Sequence, residues 1–229
     1  MEFLGTLWDE VITKPMTNSL LLLYVALFSN LGLGIIAFTV VVRVLTYPLM
    51  MRQIRQTQRM QSLQPRMKEI QERHKINSQL RSQDIMLLYK DAGVNPVGCL
   101  GPLVIQMPIF IGLFWAINNV LPFTPENLAG LSGKLYSWLP FFNSLVPVNR
   151  SFLGMVLALE PARAGNILAM ILVFLSGYTM YLQQKITQMP STDPRQQSTQ
   201  RMMLIVMPLV FGMFSLFFPI GLVIYWVIS

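Results

Sequence analysis

The sequence predicts an all-α integral membrane protein: a core of five transmembrane helices, an interfacial N-terminal helix and a basic helical hairpin on the cytoplasmic side. Three observations predict it. Of 229 residues, 53% are hydrophobic and only 12% charged, with a mean hydropathy of +0.52, whereas a soluble domain carries about 25% charged residues. The apolar residues lie in continuous runs, unlike the alternating segments of about ten residues that mark a membrane barrel. The basic residues concentrate in polar stretches that the positive-inside rule assigns to the cytosol. The net charge of +7 therefore reads as topology, and no direct sequence-specific nucleic-acid binding is expected.

Residues 1–18 place Phe3, Leu4, Leu7 and Val11 at helical spacing with Trp8 beside them, which predicts an amphipathic helix in the outer interface, ended near Pro15. The stretch up to Lys14 lacks a basic region followed by an apolar core, so no cleavable signal is expected. Residues 19–51 form the first transmembrane segment. Read as one helix from Leu20 it is longer than a bilayer core and must tilt; alternatively Ser29-Asn30 marks a break near the surface.

Residues 52–96 change character abruptly. Between Arg52 and Lys90 there are nine basic residues (Arg52, Arg55, Arg59, Arg66, Lys68, Arg73, Lys75, Arg81 and Lys90) against three acids. Ile54, Met60, Leu63, Met67 and Ile70 form a narrow apolar seam. Pro65 marks a kink or restart, and Asn77 is a natural cap for a second helix ending near Gly93. These features predict the cytoplasmic hairpin and a surface for partner contact.

Residues 97–120 are the second span, carrying Gln106 at mid-membrane. Residues 121–164 hold three basic residues and are placed outside, with the apolar pieces Trp138–Phe142 and Phe152–Leu159 resting on the interface. Residues 165–182 form the third span, 183–201 a cytoplasmic loop, and 202–218 the fourth span. A fifth opens at residues 219–229 and is expected to be truncated, since eleven residues make only about 16 Å of helix. Positive loops put the N-terminus outside and the C-terminus in the cytosol.

The residue that demands an explanation is Arg43, inside the apolar run Gly32–Met51 (GLGIIAFTVVVRVLTYPLMM). A charge at that depth costs about 2.5–3.5 kcal/mol on insertion scales. A snorkelling side chain is the bland reading. Against it, Thr39 and Thr46 stand one helical turn before and after Arg43, so the helix carries a polar stripe instead of an isolated charge. Enzyme signatures are missing: there is no HExxH, GxSxG or Walker A pattern, and no span carries an Asp or Glu. One cysteine, Cys99, excludes an internal disulfide framework, and the lone His74 sits in a solvated polar stretch. No metal, cofactor or nucleotide site is expected.

Four blocks, Ile35–Met50 (IIAFTVVVRVLTYPLM), Leu63–Gln71 (LQPRMKEIQ), Leu88–Ile117 (LYKDAGVNPVGCLGPLVIQMPIFIGLFWAI) and Phe218–Trp226 (FPIGLVIYW), together resemble the YidC/Oxa/Albino membrane-protein insertase family. The resemblance implies five core helices, a cytoplasmic hairpin after the first, and a hydrophilic groove open to cytosol and lipid but closed outside. It maps the groove arginine onto Arg43 and the glutamine of the QMP motif onto Gln106, and matches Tyr225 and Trp226 to the start of the last helix. The implied groove set is thus Arg43, Thr39, Thr46, Gln106, Tyr225 and Trp226. Implied partners are nascent membrane-protein clients, the lipid bilayer and, on the cytosolic side, the ribosome, signal-recognition machinery and Sec translocon. The implied activity is non-hydrolytic insertion of membrane proteins. A transporter or channel with a polar intramembrane cavity is the alternative, and a scaffold that anchors ribosomes through the basic hairpin is a further rival.

Overall fold

The computed structural model describes residues 2–94, 101–121, 133–136, 148–187 and 194–229. The expected onset of the second span at 97–100, the piece Trp138–Phe142 and residues 188–193 lie outside them. The described chain is mostly helical. Among the described residues ten α-helices follow in order: α1 (Glu2–Trp8), α2 (Lys14–Ala26), α3 (Leu31–Ser62), α4 (Gln64–Arg73), α5 (Ser78–Asp91), α6 (Gly101–Val120), α7 (Pro161–Ala164), α8 (Ile167–Thr187), α9 (Pro194–Ser215) and α10 (Ile220–Ile228). A π-helical turn, Asp9–Thr13, joins α1 to α2, and two short antiparallel strands, β1 (Ser151–Phe152) and β2 (Met155–Val156), form a hairpin between α6 and α7. Among the described residues two helices, α3 and α8, are long and apolar enough to cross a membrane.

The chain divides into two compact units. The first comprises residues 1–45, 106–180 and 208–229. Its core brings together Leu20, Leu21 and Tyr24 of α2, Leu31 and Ile35 of α3, Leu113 and Ile117 of α6, and Ile220–Tyr225 of α10. Glycines set how closely these helices approach. Gly34 faces the backbone of Tyr24 and Leu20, and a β-carbon on Gly112 would lie 2.4 Å from Met16 Sδ and 2.5 Å from Ile12 Cγ2. The α8–α9 contact is built the same way. A β-carbon on Gly177 would lie 3.1 Å from the Pro208 carbonyl oxygen, while the Ser176 and Ser215 hydroxyls, both buried, lie 3.2 Å apart. Small residues at such crossings let helix backbones pack without a hydrophobic drive between them.

The second unit comprises residues 46–105 and 181–207. Within it α4 and α5 pack antiparallel, joined by His74 Nε2 with Asp84 Oδ2 at 2.9 Å and by the Tyr89 hydroxyl on Met67 Sδ at 3.2 Å. Asn77 caps α5, its Oδ1 accepting the backbone N–H groups of Gln79 and Leu80 at 3.1 Å each. Gly93, with φ 63°, follows the end of α5 in the left-handed region that glycine favours. Pro65 stands in the first turn of α4, so it restarts a helix; a proline there gives up an N–H that has no intrahelical partner anyway.

Several expectations change. The helical run does not end at Pro15 but continues to Ala26. The π turn explains this: Lys14 N–H bonds Asp9 O, five residues back, and this wider turn makes room for a proline ring that would clash in a regular helix. Nor does this run rest only on an interface, since Thr13, Thr17 and Asn18 are buried. The open choice at Ser29-Asn30 resolves as a break. Phe28 and Ser29 both have positive φ, and Asn30 Oδ1 accepts Leu33 N–H at 3.2 Å to start α3. Past Met51 that helix does not stop but runs on to Ser62, 32 residues in all, or about 48 Å. Finally, Phe152–Leu159 folds as a hairpin that inserts Met155 and Leu157 into the core.

Candidate functional site

Three helices of the first unit, α3, α6 and α10, bring polar groups together in otherwise apolar surroundings. Arg43 stands half-buried on α3. Gln106, on α6, is half-buried and donates through Nε2 to the Tyr225 hydroxyl of α10 at 2.6 Å. Arg43 is close enough to Tyr225 for its charge to act on that hydroxyl. A guanidinium, an amide and a phenol thus share one neighbourhood, where they offer several N–H and O–H donors to an acidic or carbonyl-bearing segment.

The other residues of the expected set sit differently. Thr39 is fully buried, and its hydroxyl donates to Ile35 O at 2.7 Å. This is a correction to the polar stripe: back-bonding within α3 occupies the hydroxyl proton and packing seals it from solvent. Thr46 is half-buried and belongs to the second unit. Trp226 is the hub of an aromatic cluster, stacked on Phe110 at 5.6 Å between centroids and packed against Phe211 at 4.7 Å and Phe218 at 5.3 Å. It ties α10 to α6 and α9, holding Tyr225 at the height of Gln106. Of the nine basic residues between Arg52 and Lys90, all are exposed except the half-buried Arg81.

The structure also shows what closes one end of this unit, which sequence reasoning missed. The segment from Val148 to Leu159 straps across the helices. Leu159 O accepts Ile220 N–H at 2.9 Å and Leu157 O accepts Gly221 N–H at 3.1 Å, satisfying donors that the first turn of α10 leaves open. The Tyr24 hydroxyl accepts Asn149 N–H at 2.9 Å. Asn18 donates to Lys134 O at 3.0 Å and accepts Tyr136 N–H at 3.0 Å. Burial within this strap holds the Arg150 guanidinium below its ordinary pKa. The only sequence signal for these clamps is polar residues, Asn18 and Tyr24, at the edge of an apolar run.

Residues 23–229 match the family described as 60Kd inner membrane protein. The chain belongs to that family. The resemblance read from the four sequence blocks is thereby borne out. Among curated relatives, each named membrane protein insertase YidC, the protein of Actinobacillus succinogenes is 36% identical over 222 residues, 97% of this chain and 35% of the relative. The proteins of Histophilus somni and Haemophilus influenzae give the same 36% identity and the same coverage. The chain therefore spans about a third of the length of the curated relatives it matches.

Proposed function

We propose that this member of the 60Kd inner membrane protein family is a membrane-protein insertase of the bacterial plasma membrane. It would move hydrophilic segments of nascent membrane proteins past a polar site in the bilayer and release their apolar helices into lipid. The observation that carries the reading is Arg43, half-buried in an apolar helix, beside Tyr225 and its partner Gln106. The name borne by the relatives supports it.

The energetics suit a reversible carrier. An Asp in a membrane span costs about 2.5–3.5 kcal/mol on insertion scales. A carboxylate about 4 Å from a guanidinium recovers roughly 4 kcal/mol at an effective dielectric near 20. The terms match in size, so the site offsets the penalty without trapping the client. Gln106 and Tyr225 supply further donors for the client backbone, and the strap from Val148 to Leu159 keeps the site closed toward the outside. Release follows when the client's apolar helix moves into lipid. In this reading five helices form the core, the N-terminus lies outside and the C-terminus in the cytosol. The basic α4–α5 pair then faces anionic head groups and receives clients, ribosome, signal-recognition machinery or translocon.

Arg43→Ala and Arg43→Glu test the reading. With the charge pairing removed, insertion of clients with acidic translocated segments is expected to fall by about tenfold or more, since 1.4 kcal/mol already corresponds to tenfold. Clients with neutral segments change little. Equal losses for both client classes, measured by protease protection in proteoliposomes, contradict the charge-pairing step.

A further inference from the structure

Three bulky apolar side chains stand exposed at one end of the first unit, and two of them sit where the backbone disfavours them. Phe28 has φ 59° and Leu153 φ 50°, a left-handed region that residues with a β-carbon rarely adopt. Phe28 is 92% exposed, Leu153 68%, and Ile167, the first residue of α8, 74%. A solvent-facing turn with positive φ ordinarily carries Gly, Asn or Asp.

Contacts fix the height of both turns. Phe152 packs on Gly32, where a β-carbon would lie 2.1 Å from the ring, and Gly32 is the second residue of α3. Asn166 Nδ2 donates to Gly154 O at 3.0 Å while its Oδ1 accepts Leu168 N–H at 2.8 Å, pinning the β-turn to the start of α8. The β1–β2 turn therefore straddles the beginnings of α3 and α8, both long and apolar enough to cross a membrane, and Phe28 precedes α3 by one short turn. From Ile167 the exposed apolar surface continues along α8 through Ile171 and Phe174. The charges on the adjoining segment, Glu160 and Arg163, pair with each other at 3.3 Å.

We propose that Phe28 and Leu153 are lipid anchors: the two turn tips enter the boundary between head groups and acyl chains at the face where α3 and α8 begin, and set the depth of the protein in the bilayer. The occupant is lipid because the patch is continuous with the apolar face of a spanning helix and lies in the plane where that helix enters the membrane. An apolar surface at that level is recognised by interfacial partition alone.

The test uses the whole chain with Cys99→Ser and a single new cysteine, Leu153→Cys or Phe28→Cys, labelled with NBD and reconstituted into phosphatidylethanolamine–phosphatidylglycerol vesicles. Both labels are expected to emit to the blue of NBD–glutathione in buffer. Both should be quenched more strongly by lipid carrying a nitroxide near the acyl ester than by iodide. Buffer-like emission with stronger iodide quenching at either position overturns the proposal. A blue shift without nitroxide quenching overturns it too, since protein then covers the tip. No client takes part in this readout, so its failure is distinguishable from failure of the insertase reading.

Discussion

At the scale of single residues, the Gln106–Tyr225 pair is the most exposed to test. Tyr225→Phe removes the acceptor for Gln106 Nε2 and is expected to cost about 0.5–1.5 kcal/mol of stability in detergent. Adding Gln106→Leu should restore part of that loss, because no half-buried amide is then left without its partner. A double-mutant cycle on thermal unfolding checks this, and additive losses would mean that the pair is not coupled. Solvent access separates the two threonines. Thr39→Cys is expected to stay unreactive toward a water-soluble maleimide in membranes, because its side chain is sealed and bonded to Ile35 O. Thr46→Cys, half-buried, is expected to react. Spacing alone had put both on one polar face; it cannot tell a side chain that packing seals from one left half-buried.

At the scale of elements, close helix crossings make glycine replacement costly. A β-carbon on Gly32 meets the Phe152 ring carbons and β-carbon at 2.1–2.7 Å, near the root of the side chain, where a small rotation gives no relief. Gly32→Ala is therefore expected to destabilise by about 1–3 kcal/mol, read as a lower unfolding midpoint with easier proteolysis of the strap. Unchanged stability would mean that the hairpin does not seat on α3. Much of the element list was legible beforehand. Asn77, Pro65 and Gly93 act locally, through a side-chain oxygen, a missing N–H and a free φ, so their effects can be read from neighbours in sequence. Three features were not legible, each for a physical reason. Met51–Arg52 marks a change of surroundings and not of backbone, since Arg and Gln continue a helix as readily as Leu. Pro15 is accommodated by a π turn that no local pattern announces. The run from Phe152 to Leu159 is apolar whether it faces lipid or protein, and only tertiary contacts decide that Met155 and Leu157 enter the core.

At the scale of the whole molecule, sequence and structure agree on a mostly helical chain, to which the structure adds the β1–β2 hairpin, and the family match to residues 23–229 reaches into both compact units. The candidate site was legible as residue types, Arg43 and Gln106 foremost, because polar groups in apolar runs stand out without any knowledge of packing. The strap across this unit was not, because the clamps from Asn18, Tyr24 and the carbonyls of Leu157 and Leu159 join segments far apart in the chain. The proposed insertion past Arg43 requires that a client reach this guanidinium. The most direct measurement is site-specific photocrosslinking from a probe at position 43, and in parallel at position 106, to a ribosome-stalled nascent membrane protein. A crosslink to the client's hydrophilic segment that shifts to its apolar helix as the chain lengthens is the expected result. Probes that label lipid or the protein itself at every nascent-chain length, while insertion proceeds normally, would contradict it.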